Sequence, residues 1–161
     1  MENARPNVNA NPAKAPLGAP ARAARTSHPA ASRPSVQMAD RFVERDGLRF
    51  AGTHLIVDLW DACELDDLLA VEAALRSAAQ AAGATLLSLK LHGFASTGGI
   101  TGVAILAESH ISIHTWPECS YAAVDVFMCG EAKPARAIEV LRRAFQPGRM
   151  TVVEHKRGLM P

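Results

Sequence analysis

From residue 40 onward, apolar and polar positions recur with two distinct periods. His54-Leu55-Ile56-Val57-Asp58-Leu59-Trp60 reads as a strand. Asp66 and Asp67 suit the capped, acidic start of a helix running to about Ala82, with Leu68, Val71, Leu75, Ala79 and Ala82 at helical spacing. Gly83 then ends it as a left-handed cap would. Thr85 to Leu91 is a strand, Gly98-Gly99 a turn, and Val103 to Ala107 a short apolar strand. Ile111 to Thr115 alternates, and Tyr121 to Met128 has apolar residues at period two. Pro134 suits the first turn of a second helix presenting Ile138, Leu141 and Phe145 on one face. Pro147-Gly148 closes that helix, and Met150 to Glu154 is a last strand. Several strands with two intervening helices predict an α+β fold. It is a two-layer sandwich of one mainly antiparallel sheet with helices on one face.

Composition adds bounds. The chain has 161 residues, 48% of them apolar, which suits one domain with a proper core. A formal net charge of +1 offers no field that would gather nucleic acid or anionic lipid. No apolar run reaches membrane-spanning length, and the N-terminus lacks a secretory h-region. Three cysteines, Cys63, Cys119 and Cys129, are an odd number at no metal-knuckle spacing. They predict reduced thiols and a cytoplasmic protein.

The first 40 residues differ from the rest and are read as a disordered, Pro/Ala-rich basic arm, leaving 41–161 as the folded domain. Residues 1–39 hold six of the ten prolines and set five basic residues against one acid, Glu2. Such a segment cannot bury enough apolar surface to offset its ordering entropy. Its prolines would break the amphipathic helix that an organelle transit peptide needs.

The densest chemistry lies in Glu108-Ser109-His110-Ile111-Ser112-Ile113-His114-Thr115-Trp116-Pro117-Glu118, with Cys129 twenty residues beyond Ser109. A serine hydroxyl is a weak nucleophile unless it is activated or positioned. If the Glu108-Ser109 peptide is held strained, the Ser109 hydroxyl can attack the preceding carbonyl and turn the amide into an ester. The tetrahedral intermediate needs hydrogen-bond donors and a proton shuttle, for which Thr101 and His114 are candidates. Loss of the Ser109 α-proton would cut the chain and leave dehydroalanine, which hydrolyses to a pyruvoyl group. Such a group forms a Schiff base with an amino acid and accepts electrons as CO₂ leaves. A continuous strand would point Ser109 with the isoleucines, away from His114, so a bulge or sharp turn is expected at Glu108-Ser109.

At these residues the chain resembles the prokaryotic S-adenosylmethionine decarboxylase proenzyme family. The matching words are Gly52-Thr53-His54-Leu55, Gly99-Ile100-Thr101-Gly102-Val103, Glu108-Ser109-His110 through His114-Thr115-Trp116-Pro117-Glu118, Tyr121 to Phe127, and Cys129-Gly130. The resemblance implies self-cleavage between 108 and 109, with Ser109 becoming the pyruvoyl cofactor. It implies that His114 accepts a proton in processing, that Cys129 is the proton donor to the substrate, and that Thr101 supports processing. Glu118 would bind the ribose hydroxyls. The family's adenine-stacking phenylalanine aligns without a gap on Ala95, and Phe94, one residue earlier, takes the role across a one-residue shift. The family's fold is an α/β sandwich assembled as a homodimer of processed protomers. Its product supplies aminopropyl groups for spermidine in polyamine synthesis.

Other readings stand beside these. The same scaffold could decarboxylate arginine or ornithine, or the chain could be a non-catalytic regulatory partner using its basic arm. His110 and His114 are four apart in a strand pattern with no third ligand, so no metal is expected. His110 and His54 read as structural, Trp60 and Trp116 as packing residues, and Cys63 and Cys119 as inert. Lys90 and His92 read as a solvated strand edge.

Overall fold

The structure is a computed structural model, and residues 42–161 are described. The arm expected over 1–40 lies outside the described residues. The elements are β1 (Val43–Arg45), β2 (Leu48–Trp60), α1 (Leu68–Ala81), β3 (Leu86–Gly93), β4 (Ile100–Leu106), β5 (Ser109–Trp116), a 3₁₀ turn (Pro117–Cys119), β6 (Tyr121–Cys129), α2 (Pro134–Phe145) and β7 (Arg149–Leu159). Every strand pairing is antiparallel. The long β2 lies between β6 and β7, and the sheet continues through β5 and β4 to β3.

Period two sorts the strand residues onto two faces. Leu55, Val57 and Leu59 of β2, Ile111 and Ile113 of β5, and Val124, Val126 and Met128 of β6 are at most 5% exposed. They share one core with Val71, Leu75 and Ala78 of α1 and Leu141 and Phe145 of α2. Each fully buried large side chain contributes about 1.5–3 kcal/mol. The opposite face carries His54, Ile56, Asp58 and Trp60 of β2, Asp125 and Phe127 of β6, and His110, Ser112, His114 and Trp116 of β5. No described helix packs on that face. Its apolar members Ile56, Ile105, Trp116 and Val153 are 39–50% exposed.

Both helices begin as their sequence predicts. The Asp67 carboxylate accepts from the Leu69 and Ala70 amides at 2.8 and 3.1 Å, capping α1. Pro134 occupies the first turn of α2, and Arg142 and Arg143 sit in its last turn, where the helix dipole favours cations. Leu68, assigned to the apolar stripe of α1, is 44% exposed. The stripe is instead filled by Ala74 and Ala78 between Val71, Leu75 and Ala79.

Several strands run longer than their side-chain pattern. The last strand extends to Leu159 rather than Glu154, since β7 pairs β2 through its backbone whatever its side chains. β2 begins at Leu48, where a two-residue Asp46-Gly47 turn folds β1 back onto it.

Candidate active site

β4 and β5 form a hairpin in which Leu106 pairs with Ser109, leaving a two-residue turn of Ala107 and Glu108. Glu108 has φ 62, a left-handed conformation at the turn position that ordinarily takes glycine or asparagine. A side chain there costs about 1–2 kcal/mol. The sharp turn expected at Glu108-Ser109 is therefore present, one peptide ahead of the serine hydroxyl. The Ser109 Oγ accepts a hydrogen bond from the Cys129 amide at 3.2 Å, which ties it to the end of β6.

Cys129 is half-buried on the open sheet face. Burial first, and then the Glu108 carboxylate, push its thiol above the ordinary cysteine value. It stays neutral, as a proton donor must. Glu108 and Cys129 line one cavity of about 280 Å³ with Phe42 and Ala51. Gly52 makes this arrangement possible: a Cβ there would lie 2.6 Å from the Met128 carbonyl oxygen and 2.9 Å from the Cys129 Sγ.

The remaining site residues gather at the other end of β5. The Thr101 hydroxyl and His114 Nδ1 are hydrogen-bonded at 2.9 Å across a registered pair of β4 and β5. That contact leaves Nε2 as the nitrogen that can meet a reacting proton. A cavity of about 180 Å³ is lined by Phe94, Thr101, His114, Trp116 and Glu118, among others. The one-residue shift thus places Phe94 on the cavity wall, and Ala95 does not line it. The loop is closed by the Phe94 amide donating to the Gly99 carbonyl and the Gly98 amide donating to the Phe94 carbonyl, each at 2.8 Å. Glu118 sits on the 3₁₀ turn directly after β5.

The candidate residues therefore fall into two clusters. Glu108, Ser109 and Cys129 form one; Phe94, Thr101, His114 and Glu118 form the other. β5 runs unbroken between them, so Ser109 and His114 are about 17 Å apart along the strand. The turn ahead of Ser109 does not bring it to His114, because the ladder resumes at once on both sides of the loop. The 180 Å³ cavity is itself smaller than most ligand sites. A cavity of about 590 Å³ lies among β1, Met128 and the start of α2 and is lined by none of these residues.

The open face also holds polar networks that the sequence reading passed over. Arg157 donates to His54 Nδ1 at 3.2 Å, so His54 carries its proton on Nε2 and donates to Asp125 at 3.2 Å. Ser112 donates to the same carboxylate. Tyr121 donates to Asp58 at 2.6 Å, as does Thr151 at 3.1 Å. The Asp58 hydrogen bond, then burial and the Asp58 charge, push the Tyr121 phenol up to about 12. Trp60, Tyr121 and Trp116 stack in a row, with centroids 4.3 and 5.2 Å apart. Thr115, also passed over, anchors the cavity: its hydroxyl accepts from Ile100 and donates to the Leu65 carbonyl, both at 2.7 Å. The available signal was polar residues at alternate positions of strands otherwise apolar.

Known proteins share much of this sequence and fold. A sequence model of the S-adenosylmethionine decarboxylase family matches residues 53–158. The chain is 50% identical over 114 residues to the S-adenosylmethionine decarboxylase proenzyme of Thermomicrobium roseum, covering 70% of this chain and 98% of the relative. It is 47% identical over 116 residues to the proenzyme of the same description from Methanococcus aeolicus, with the same coverage. The crystal structure of the adenosylmethionine decarboxylase from Aquifex aeolicus superposes with a TM-score of 0.64 at 35% identity, covering 70% of this chain and 94% of that one. On its sequence, its fold and its relatives, the chain belongs to the S-adenosylmethionine decarboxylase family.

Proposed function

We propose that this chain is the proenzyme of an S-adenosylmethionine decarboxylase that cuts itself between Glu108 and Ser109. The observation that carries the reading is the left-handed Glu108 immediately ahead of the Ser109 hydroxyl, with Cys129 alongside. Attack of Ser109 Oγ on the Glu108 carbonyl carbon forms an ester and breaks the peptide C–N bond. Removal of the Ser109 α-proton then breaks the Cβ–O bond, releases Glu108 as a carboxylate and leaves dehydroalanine. Its imine tautomer takes up water and loses ammonia. These residues fit a pyruvoyl group, because the group is made from Ser109 itself. Once formed, it supplies a ketone that binds an amine and takes up the electrons of a departing carboxylate.

The chain's own residues do the rest. Cys129, neutral and half-buried, returns a proton to the substrate α-carbon. Thr101 orients His114 for proton transfer during processing. Glu118 receives the ribose hydroxyls and Phe94 the base. The alternative of arginine or ornithine as substrate finds no support among the relatives, which are named for S-adenosylmethionine. The product would serve aminopropyl transfer in spermidine synthesis.

The working unit is a homodimer of processed protomers, meeting open sheet face to open sheet face. A two-fold axis near the middle of β5 would lay the Ser109–Cys129 end of one protomer over the Thr101–His114 end of its partner. The 39–50% exposure of Ile56, Ile105, Trp116 and Val153 supports a covered face. Free thiols at Cys63, Cys119 and Cys129 support a reducing, cytoplasmic setting. Among the described residues no helix is long and apolar enough to cross a membrane.

Intact mass of the purified protein tests the reading. It should show fragments 1–108 and 109–161, the second with a blocked terminus, and release of CO₂ from S-adenosylmethionine. Ser109→Ala should stay one chain and be inactive. A folded wild-type chain that remains whole would overturn the proposal.

A further inference from the structure

We propose that His92 is a positioning residue that sets the orientation of Phe94, and through it the grip on the nucleoside base. The inference rests on the assignment of Phe94 to the substrate site. His92 lies near the end of β3, and Phe94 follows directly after the strand. Their ring centroids are 4.8 Å apart with planes at 80°, an edge-to-face contact.

Phe94 needs such a brace. Its backbone is fixed by the Gly99, Gly98 and Thr97 hydrogen bonds. Its side chain, however, is 46% exposed, and backbone bonds do not choose a side-chain rotamer. The imidazole beside it excludes positions that would swing the ring away from the cavity.

His92 is itself held in register. It pairs with Thr101 on β4, and Thr101 pairs with His114 on β5. His92 and the His114 imidazole thus belong to one cross-strand row. His92 also lines a cavity of about 300 Å³ with Thr101, Ser112 and His114, which abuts the one lined by Phe94. It is more than part of a solvated edge.

The test uses the processed full-length enzyme with S-adenosylmethionine, and adenosine as a binding probe that lacks the reacting carboxylate. His92→Leu should raise KM, and weaken adenosine, about 2- to 10-fold, the range of one aromatic pair, with kcat changed less than about two-fold. His92→Phe, which keeps a ring at that edge, should restore both. In the background of Phe94→Leu, which itself raises KM, His92→Leu should add nothing further. Self-cleavage and an unchanged Tm establish that the variants fold. If Phe94→Leu raises KM while His92→Leu does not, or if the two effects multiply independently, the positioning role is wrong. If Phe94→Leu leaves KM and adenosine binding unchanged, the substrate assignment of Phe94 falls first and the role of His92 with it.

Discussion

Ser109 and His114 stand on the same strand, β5, five residues apart. The residue to be converted and the base expected to act on it cannot meet within one chain, since a continuous strand separates them by about 17 Å. Complementation follows from that distance. Ser109→Ala and His114→Ala should each be inactive alone. Co-expressed, random pairing makes half the dimers mixed, and each mixed dimer has one intact site. Activity and cleavage should therefore recover to about one quarter of wild type. Mixed dimers that isolate cleanly yet stay inert would show that the sites do not cross the interface.

Cys129 gives a pH dependence of definite sign. A proton donor is competent below its pKa and fails as pH rises through it. Because burial and Glu108 raise the thiol pKa, the alkaline limb of kcat should lie above the range of a free thiol, about 8.5. Glu108→Gln removes one of the two causes, so in an uncut Ser109→Ala background the thiol midpoint should move to lower pH. Alkylation of the Cys129 peptide against pH, followed by mass spectrometry, reports that midpoint without depending on turnover. A midpoint unmoved by Glu108→Gln would show that the carboxylate does not act on the thiol.

Gly52→Ala should be costly out of proportion to one methyl group. The added carbon would meet the Met128 carbonyl oxygen at 2.6 Å, and backbone does not yield as a side chain does. A loss of about 1–3 kcal/mol in denaturant unfolding is expected, with reduced decarboxylation because Cys129 is pushed from its place. An unchanged midpoint of unfolding and full activity would refute the close approach.

Tyr121 is the one tyrosine of the chain, so its ionisation can be followed by ultraviolet absorbance without ambiguity. Its midpoint should be about 12 in the folded protein. The linkage has one sign: a phenol whose pKa is raised on folding contributes stability fully below about 10, its ordinary value, and loses it as pH climbs to about 12. Tyr121→Phe should lower stability by about 1–3 kcal/mol at neutral pH, the scale of a hydrogen bond to a carboxylate. It should also flatten the alkaline decline between those two values. A midpoint near 10 would mean that the Asp58 contact is not made in solution.

Much of this architecture was legible in the chain, and the parts that were not share a cause. Asp67 and Pro134 announced their helices because capping and proline chemistry act within a few residues. The core strands showed themselves through period two, which reports burial on one face. β7 was read short because an edge strand is held by backbone bonds that need no side-chain pattern beyond Glu154. Asp46-Gly47 is a strong hairpin signal, but the apolar pattern of the strand after it becomes clear only from His54, six residues past its start at Leu48. At the candidate site, Ser109, His114, Cys129 and Glu118 stand out in the sequence by their wording. Their division into two clusters does not, because nearness in sequence along an extended strand means distance in space. Trp116 and His92, read as packing and as solvated edge, proved to line the cavities at the His114 end, since side-chain direction follows from the ladder register.

The Ala107-Glu108 turn has a further consequence once it is severed. The break falls outside every ladder, yet the two products are woven together: β2 of the longer piece lies between β6 and β7 of the shorter one. Cleavage there would turn a single chain into an intimate heterodimer held by those ladders. Melting that heterodimer releases two separate polypeptides, so its melting temperature acquires a dependence on protein concentration. Neither piece can rebuild the cut peptide. A cleaved molecule would be a device assembled once, whose loss on heating is permanent in a way that loss of the uncut precursor is not.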